Sequence, residues 1–267
     1  MRNDQPMKCM SPPMILSTLC VRFGRKRFGF KFNQYFRLST MSGQKISIPS
    51  ENSKGAIPAV QFNNPKSQPM GVIVLQEWWG LTQEIENNAQ DLARRGDFTA
   101  IVPDLYRGIV TTDYEYAGHL MSNLDWQGAV QDIRGCAKHL KEQGCAKVGV
   151  VGFCMGGALS LAAAALVTEV SASAPFYGIP SKDLADPSSI KIPVQCHYGE
   201  QDTLEGFSAP ADQDKLKASL KAGGVPFEFF SYNAGHAFVN PVGPNYNKEA
   251  AELAIGRAVD FFKKNLA

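Results

Sequence analysis

From residue 71 onward, short apolar runs alternate with longer stretches in which apolar positions recur at helical spacing, three to four residues apart. The short runs predict strands at 71–75, 99–102, 147–152, 170–176, 194–198 and 227–232. The longer stretches predict helices at 83–95, 129–142, 155–166, 210–222 and 248–264. An earlier strand or hairpin over 46–61 is expected at the sheet edge. Strand and helix in strict alternation build a mostly parallel sheet covered on both faces, so the pattern predicts an α/β fold. In such folds the chemistry collects beyond the carboxyl ends of the strands.

One strand end stands out. Residues 148–157 read as a strand turning sharply into a helix with Cys154 at the apex, flanked by Gly152 and Gly156. Gly-x-nucleophile-x-Gly is the pattern of a nucleophile elbow, in which a side chain at either glycine would clash across the turn. The following Ala-rich helix aims its N-terminal amides and dipole at Cys154, which favours thiolate over thiol. A buried structural cysteine in a glycine-containing turn would read the same way from these residues alone.

Three more polar residues fall at predicted strand ends. Glu77 follows the first run, Asp202 the run at 194–198, and His236 the run at 227–232. Cys154, Asp202 and His236 stand in the chain order nucleophile, acid, histidine. Of the four histidines, His119 and His139 sit in helical, solvated stretches and His197 lies inside a strand, whereas His236 is in a Gly-His loop. Asp202 has the alternative use of a turn residue or helix cap. In the catalytic reading it holds His236 in one tautomer and stabilises the imidazolium. Glu77, beside Trp78 and Trp79, is a candidate for desolvation and a raised pKa.

Composition sharpens the boundaries. The chain has 267 residues, 44% of them hydrophobic, and a formal net charge of +2, enough for one large domain with an ample core. The first fifty residues hold nine Lys or Arg against Asp4 alone, while the rest holds 18 bases against 24 acids. Arg22, Arg25, Lys26, Arg27, Lys31 and Arg37 interleave with Phe23, Phe28, Phe30, Phe32 and Phe36, the composition of an organellar transit peptide. Residues 1–42 are therefore expected to be a targeting leader, leaning to the mitochondrion, with a plastid as the alternative. Initiation at Met41 would instead give a cytoplasmic form. The expected domain is 43–267.

No apolar run approaches a membrane span. The body carries no basic stripe, so nucleic-acid binding is not expected. Six cysteines, at 9, 20, 136, 145, 154 and 196, show no C-x-x-C spacing, which favours free thiols over a zinc site or a disulfide scaffold.

Gln76-Glu-Trp-Trp-Gly80, Pro103-Asp-Leu-Tyr106, Gly152-Phe-Cys-Met-Gly-Gly157, Gly199-Glu-Gln-Asp202 and Ala234-Gly-His-Ala-Phe238 together resemble the dienelactone hydrolase (carboxymethylenebutenolidase) family. The resemblance covers residues 45–267. It implies an α/β-hydrolase fold, no cofactor or metal, and a Cys-His-Asp triad opening a small ester or lactone through a thioester acyl-enzyme. Cys154 would be nucleophile, His236 base, Asp202 its orienting acid, and Glu77 the resting partner of the cysteine. The amides of Met155 and Trp78 would form the oxyanion hole.

Two departures bear on substrate. Where the family places an arginine after Gly-His-x-Phe, this chain has Asn240. A second family arginine follows Pro-Asp-Leu-Tyr after one residue, whereas Arg107 directly follows Tyr106. Tyr106, Arg107 and Asn240 are the expected substrate contacts, and losing a bidentate guanidinium removes charge-assisted binding of a carboxylate. The expected partner is a small-molecule ester or lactone, with the protein a monomer or weak homo-oligomer. A redox thiol or a silent ligand-binding protein on the same frame remain the alternatives at this level.

Overall fold

A computed structural model describes residues 42–63 and 70–267. The expected leader at 1–42 lies, save for residue 42, outside the described residues, and so do the interleaved basic and aromatic residues on which that expectation rests.

Eight strands form one sheet in the order β1-β2-β4-β3-β5-β6-β7-β8. Strands β1 (Gln44–Ile48) and β2 (Ile57–Phe62) pair antiparallel at one edge, and β2 joins β4 (Phe98–Pro103) antiparallel. From β4 onward the sheet is parallel through β3 (Met70–Leu75), β5 (Val148–Phe153), β6 (Val170–Phe176), β7 (Val194–Gly199) and β8 (Phe227–Tyr232). This is the α/β-hydrolase fold, and the six parallel strands fall where the apolar runs predict them. β4 and β5 are buried at every position, as strands covered on both faces must be.

Helices α1 (Gln83–Gly96) and α6 (Lys248–Leu266) cover one face, where Ile85, Leu92 and Phe262 join the sheet residues Phe98 and Val74 in one apolar cluster. On the other face α3 (Trp126–Glu142) supplies Ile133 and Leu140 to a second cluster. It is joined there by Leu159 and Ala163 of α4 (Met155–Leu166). Helix α5 (Pro210–Ala222) opens with proline in its first turn, where the missing N–H costs nothing.

The apolar period gave no bounds for α2 (Tyr114–Ser122), the solvated helical stretch expected around His119, because this nine-residue helix buries only Ala117 and so carries no apolar stripe. It is started instead by Asp113, whose side chain accepts from the Tyr116 amide at 2.7 Å. Likewise α3 begins at Trp126, three residues before its apolar period, because the Asp125 side chain caps the Gly128 amide at 2.8 Å.

Candidate active site

The turn from β5 into α4 places Cys154 at φ 54°, ψ −115°. A left-handed backbone at a residue other than glycine stores strain that the surrounding packing must hold. The packing here is tight. A side-chain carbon on Gly152 would collide with the Gly156 carbonyl, and one on Gly156 would press into the carbonyls of Leu75 and Gln76. The second contact brings the end of β3, and with it Glu77 and Trp78, against the start of α4. As the first residue of that helix, Met155 has an amide with no intrahelical acceptor, a free donor beside Cys154.

His236 lies in the loop after β8, and Asp202 in the loop after β7. His236 Nδ1 donates to Asp202 Oδ2 at 2.8 Å, while the Leu204 amide donates to Asp202 Oδ1 at 3.0 Å. Ser208 Oγ sits 3.2 Å from the same ring nitrogen. Burial opposes ionisation of Asp202, but the hydrogen bond and charge of His236, with the Leu204 amide and the Ser208 hydroxyl, outweigh it and hold the carboxyl below its usual range. For His236 burial again opposes the charged form. The Asp202 hydrogen bond, the interactions with Cys154 and the charge of Asp202 overcome it and push the imidazole up to about 10.

The opposite ring nitrogen, Nε2, is buried and makes no hydrogen bond within the described residues. Cys154 is nonetheless near enough to raise the imidazole pKa through hydrogen-bonding proximity as well as charge, although its geometry falls short of a formed bond. The pair therefore lies close without a fixed bond, as resting catalytic pairs often do before substrate aligns them. Cys154 itself is 7% exposed, sheltered but reachable.

Glu77 departs from expectation. Its oxygens are taken by Tyr177 Oη at 3.3 Å and Asn240 Nδ2 at 2.7 Å, with no bond to Cys154. Burial raises its pKa, against the opposing pull of Asn240, His236 and Tyr177. Asn240, expected to face substrate, is therefore a buried support for Glu77, and its Oδ1 accepts from the Val242 amide at 3.1 Å.

Arg107 needs the clearest correction. Its guanidinium forks onto Asp132 at 3.0 and 3.1 Å and also donates to the Gly55 carbonyl at 3.3 Å. Ser50 and Asn52 complete the shell of Asp132. The expected substrate contact is instead an ion pair tying the β1–β2 connection to α3, because Asp132 is fully buried and needs a cation. Tyr106 is buried too, and its hydroxyl donates to Met155 Sδ at 3.2 Å. Burial, then the charge of Cys154, raises its pKa.

Two residues of the site were missed by sequence reasoning. Tyr177 follows β6 with φ 39° and has no exposed surface. It hydrogen-bonds Glu77 and meets the His236 ring edge-on at 5.2 Å. Its position at another parallel strand end, in Phe176-Tyr-Gly178, was the available signal. Ser208 carried none, being one hydroxyl in a loop.

Cys136, Cys145 and Cys196 are free and buried. Burial pushes Cys145 up to about 11 and the other two further, so none of these three is primed to react as a thiolate. Among the described residues no group of His, Cys, Asp or Glu could hold a metal ion, and no helix is long and apolar enough to cross a membrane.

Residues 57–266 match the model of the dienelactone hydrolase family. The chain is 32% identical to a putative carboxymethylenebutenolidase of Aquifex aeolicus over 76% of its own length and 91% of that protein. It is 30% identical to a carboxymethylenebutenolidase of Pseudomonas putida over 83% of this chain and 96% of that one. Among solved structures, a putative dienelactone hydrolase from Klebsiella pneumoniae superposes with a TM-score of 0.73 at 26% identity, covering 83% of this chain and 98% of the other. With its elbow, strand order and family match in agreement, this chain belongs to the dienelactone hydrolase family.

Proposed function

We propose that this protein is a carboxylic ester hydrolase that opens small esters, lactones or thioesters with Cys154 as nucleophile and a thioester acyl-enzyme as intermediate. The observation that carries this reading is the 2.8 Å bond from His236 to Asp202 on one ring nitrogen, with the other nitrogen unpartnered and the strained Cys154 beside it.

In this mechanism the Cys154 thiolate attacks the substrate carbonyl and the C–S bond forms as the C=O π pair moves onto oxygen. The amides of Met155 and Trp78 receive that oxyanion. Collapse breaks the C–O bond, and the departing alkoxide takes the proton from His236 Nε2. Water then attacks the thioester, giving its proton to His236, and the acid leaves as Cys154 returns to thiolate. Asp202 holds the ring in one orientation throughout and stabilises the imidazolium before acylation and again after water has given up its proton, which a raised His236 pKa favours. Glu77, held by Tyr177 and Asn240, interacts with the charge of His236.

The test is turnover of p-nitrophenyl acetate by wild type and Cys154→Ala, with mass spectrometry for an acyl adduct. The reading expects release from wild type only and an adduct on the peptide containing Cys154. Undiminished release by the alanine variant would overturn it.

A further inference from the structure

A cavity of about 430 Å³ opens between the α2–α3 junction and the loops that follow β6 and β7. Met121 and Trp126 form one side, Ile179 and Leu184 another, and Phe207 closes the end toward the site. We infer that this cavity receives the acyl part of a neutral, apolar ester and turns away acyl groups that carry a carboxylate. The inference rests on the hydrolytic reading above.

Two contacts join the cavity to the reacting residues. The Phe207 ring lies 6.2 Å from the His236 ring. Ile179 directly follows Gly178, and Gly178 runs so close to the Cys154 carbonyl that a side-chain carbon there would collide with it. The chain that carries Ile179 into the cavity wall therefore runs directly beside the backbone of Cys154. Trp126, Ile179 and Phe207 are all only partly buried, leaving apolar surface for a ligand to cover. The volume falls in the range that small-molecule sites occupy.

The charges point the same way. Among the described residues no lysine or arginine lines the cavity, and Asp183 is the charged group in its wall. Lys182, next in the chain, is not part of that wall. The side chains best placed by sequence to grip a carboxylate are committed elsewhere, Arg107 to Asp132 and Asn240 to Glu77. A carboxylate entering here would shed water with no cation to replace it, and would face Asp183.

The experiment compares kcat/KM for p-nitrophenyl hexanoate and mono-p-nitrophenyl adipate, acyl groups of equal length that differ by a terminal carboxylate, with p-nitrophenyl acetate as the measure of the reaction itself. The hexanoate is expected to be favoured about tenfold or more. Trp126→Ala should raise KM for the hexanoate more than for the acetate, and Ile179→Lys should shift preference toward the adipate. Equal use of hexanoate and adipate, or a preference unchanged in both variants, would overturn the inference while leaving Cys154-dependent acetate cleavage intact. Acetate cleavage that does not depend on Cys154 would instead remove the mechanism beneath it.

Discussion

Two histidines show how the partner of an imidazole sets its charge in this fold. His197 lies within β7 with both nitrogens occupied, Nδ1 by Tyr232 Oη at 2.9 Å and Nε2 by Gln195 Oε1 at 3.0 Å, and its ring stacks on Phe176 at 4.3 Å. Burial, helped by the charge of Arg257, lowers its pKa to about 3. His236 sits in the loop after the neighbouring strand with one nitrogen held by a carboxylate and the other left open, and its pKa rises to about 10. One ring is fully buried and the other largely so, His236 keeping 14% of its side chain exposed. The difference is the partner: neutral hydroxyl and amide groups leave desolvation to win at His197, while a carboxylate reverses the sign at His236. In the proposed mechanism, the open nitrogen beside the strained cysteine supplies the chemistry.

Substitution at the two rings gives the largest contrast. His236→Ala is expected to lower kcat/KM for p-nitrophenyl acetate by about four or more orders of magnitude. His197→Phe should leave it within about tenfold while costing about 2–4 kcal/mol of stability from two unpaired partners, read by urea unfolding. Equal activity losses in both would erase the distinction.

Asp202→Asn isolates the partner itself. Losing the carboxylate should drop kcat by about three to four orders of magnitude and bring the His236 pKa, followed by NMR of the ring protons, well down from about 10.

A smaller effect separates the rings by pH. The folded pKa of His197 is depressed to about 3, so the unfolded chain binds the extra proton first. Its contribution to stability is present above the unfolded value of about 6.5 and is lost as pH falls toward 3. His236 has the opposite sign: with a folded pKa of about 10, its contribution is full below the unfolded value of about 6.5 and is lost as pH rises through 10. Urea midpoints of His197→Phe should therefore fall less than those of wild type between pH 6 and about 4.

The mildest test concerns Glu77. Removing the amide in Asn240→Ala takes away one of the groups that oppose burial, so the Glu77 pKa should climb further and kcat should fall by about tenfold, with the pH profile displaced upward. An unchanged profile would mean that Asn240 does not position Glu77.

The alternation of strands and helices, the glycine-bounded elbow and the order of Cys154, Asp202 and His236 can all be read along the chain. These rest on short-range rules: apolar period, steric limits at a tight turn, and strand ends that collect polar residues. Around His119 only helical character could be read, and the bounds of α2 could not, because a capping aspartate, rather than an apolar stripe, starts it. The contacts of Arg107, Asn240 and Tyr177 emerge only in the folded protein. Each is defined by a partner far along the chain: Asp132 for Arg107, and Glu77, in a bond spanning 163 residues, for Asn240. Tyr177 meets the same carboxylate across 100 residues. A long polar side chain can reach substrate or a buried countercharge equally well, and the choice depends on which unpaired charge the folded sheet leaves within its reach.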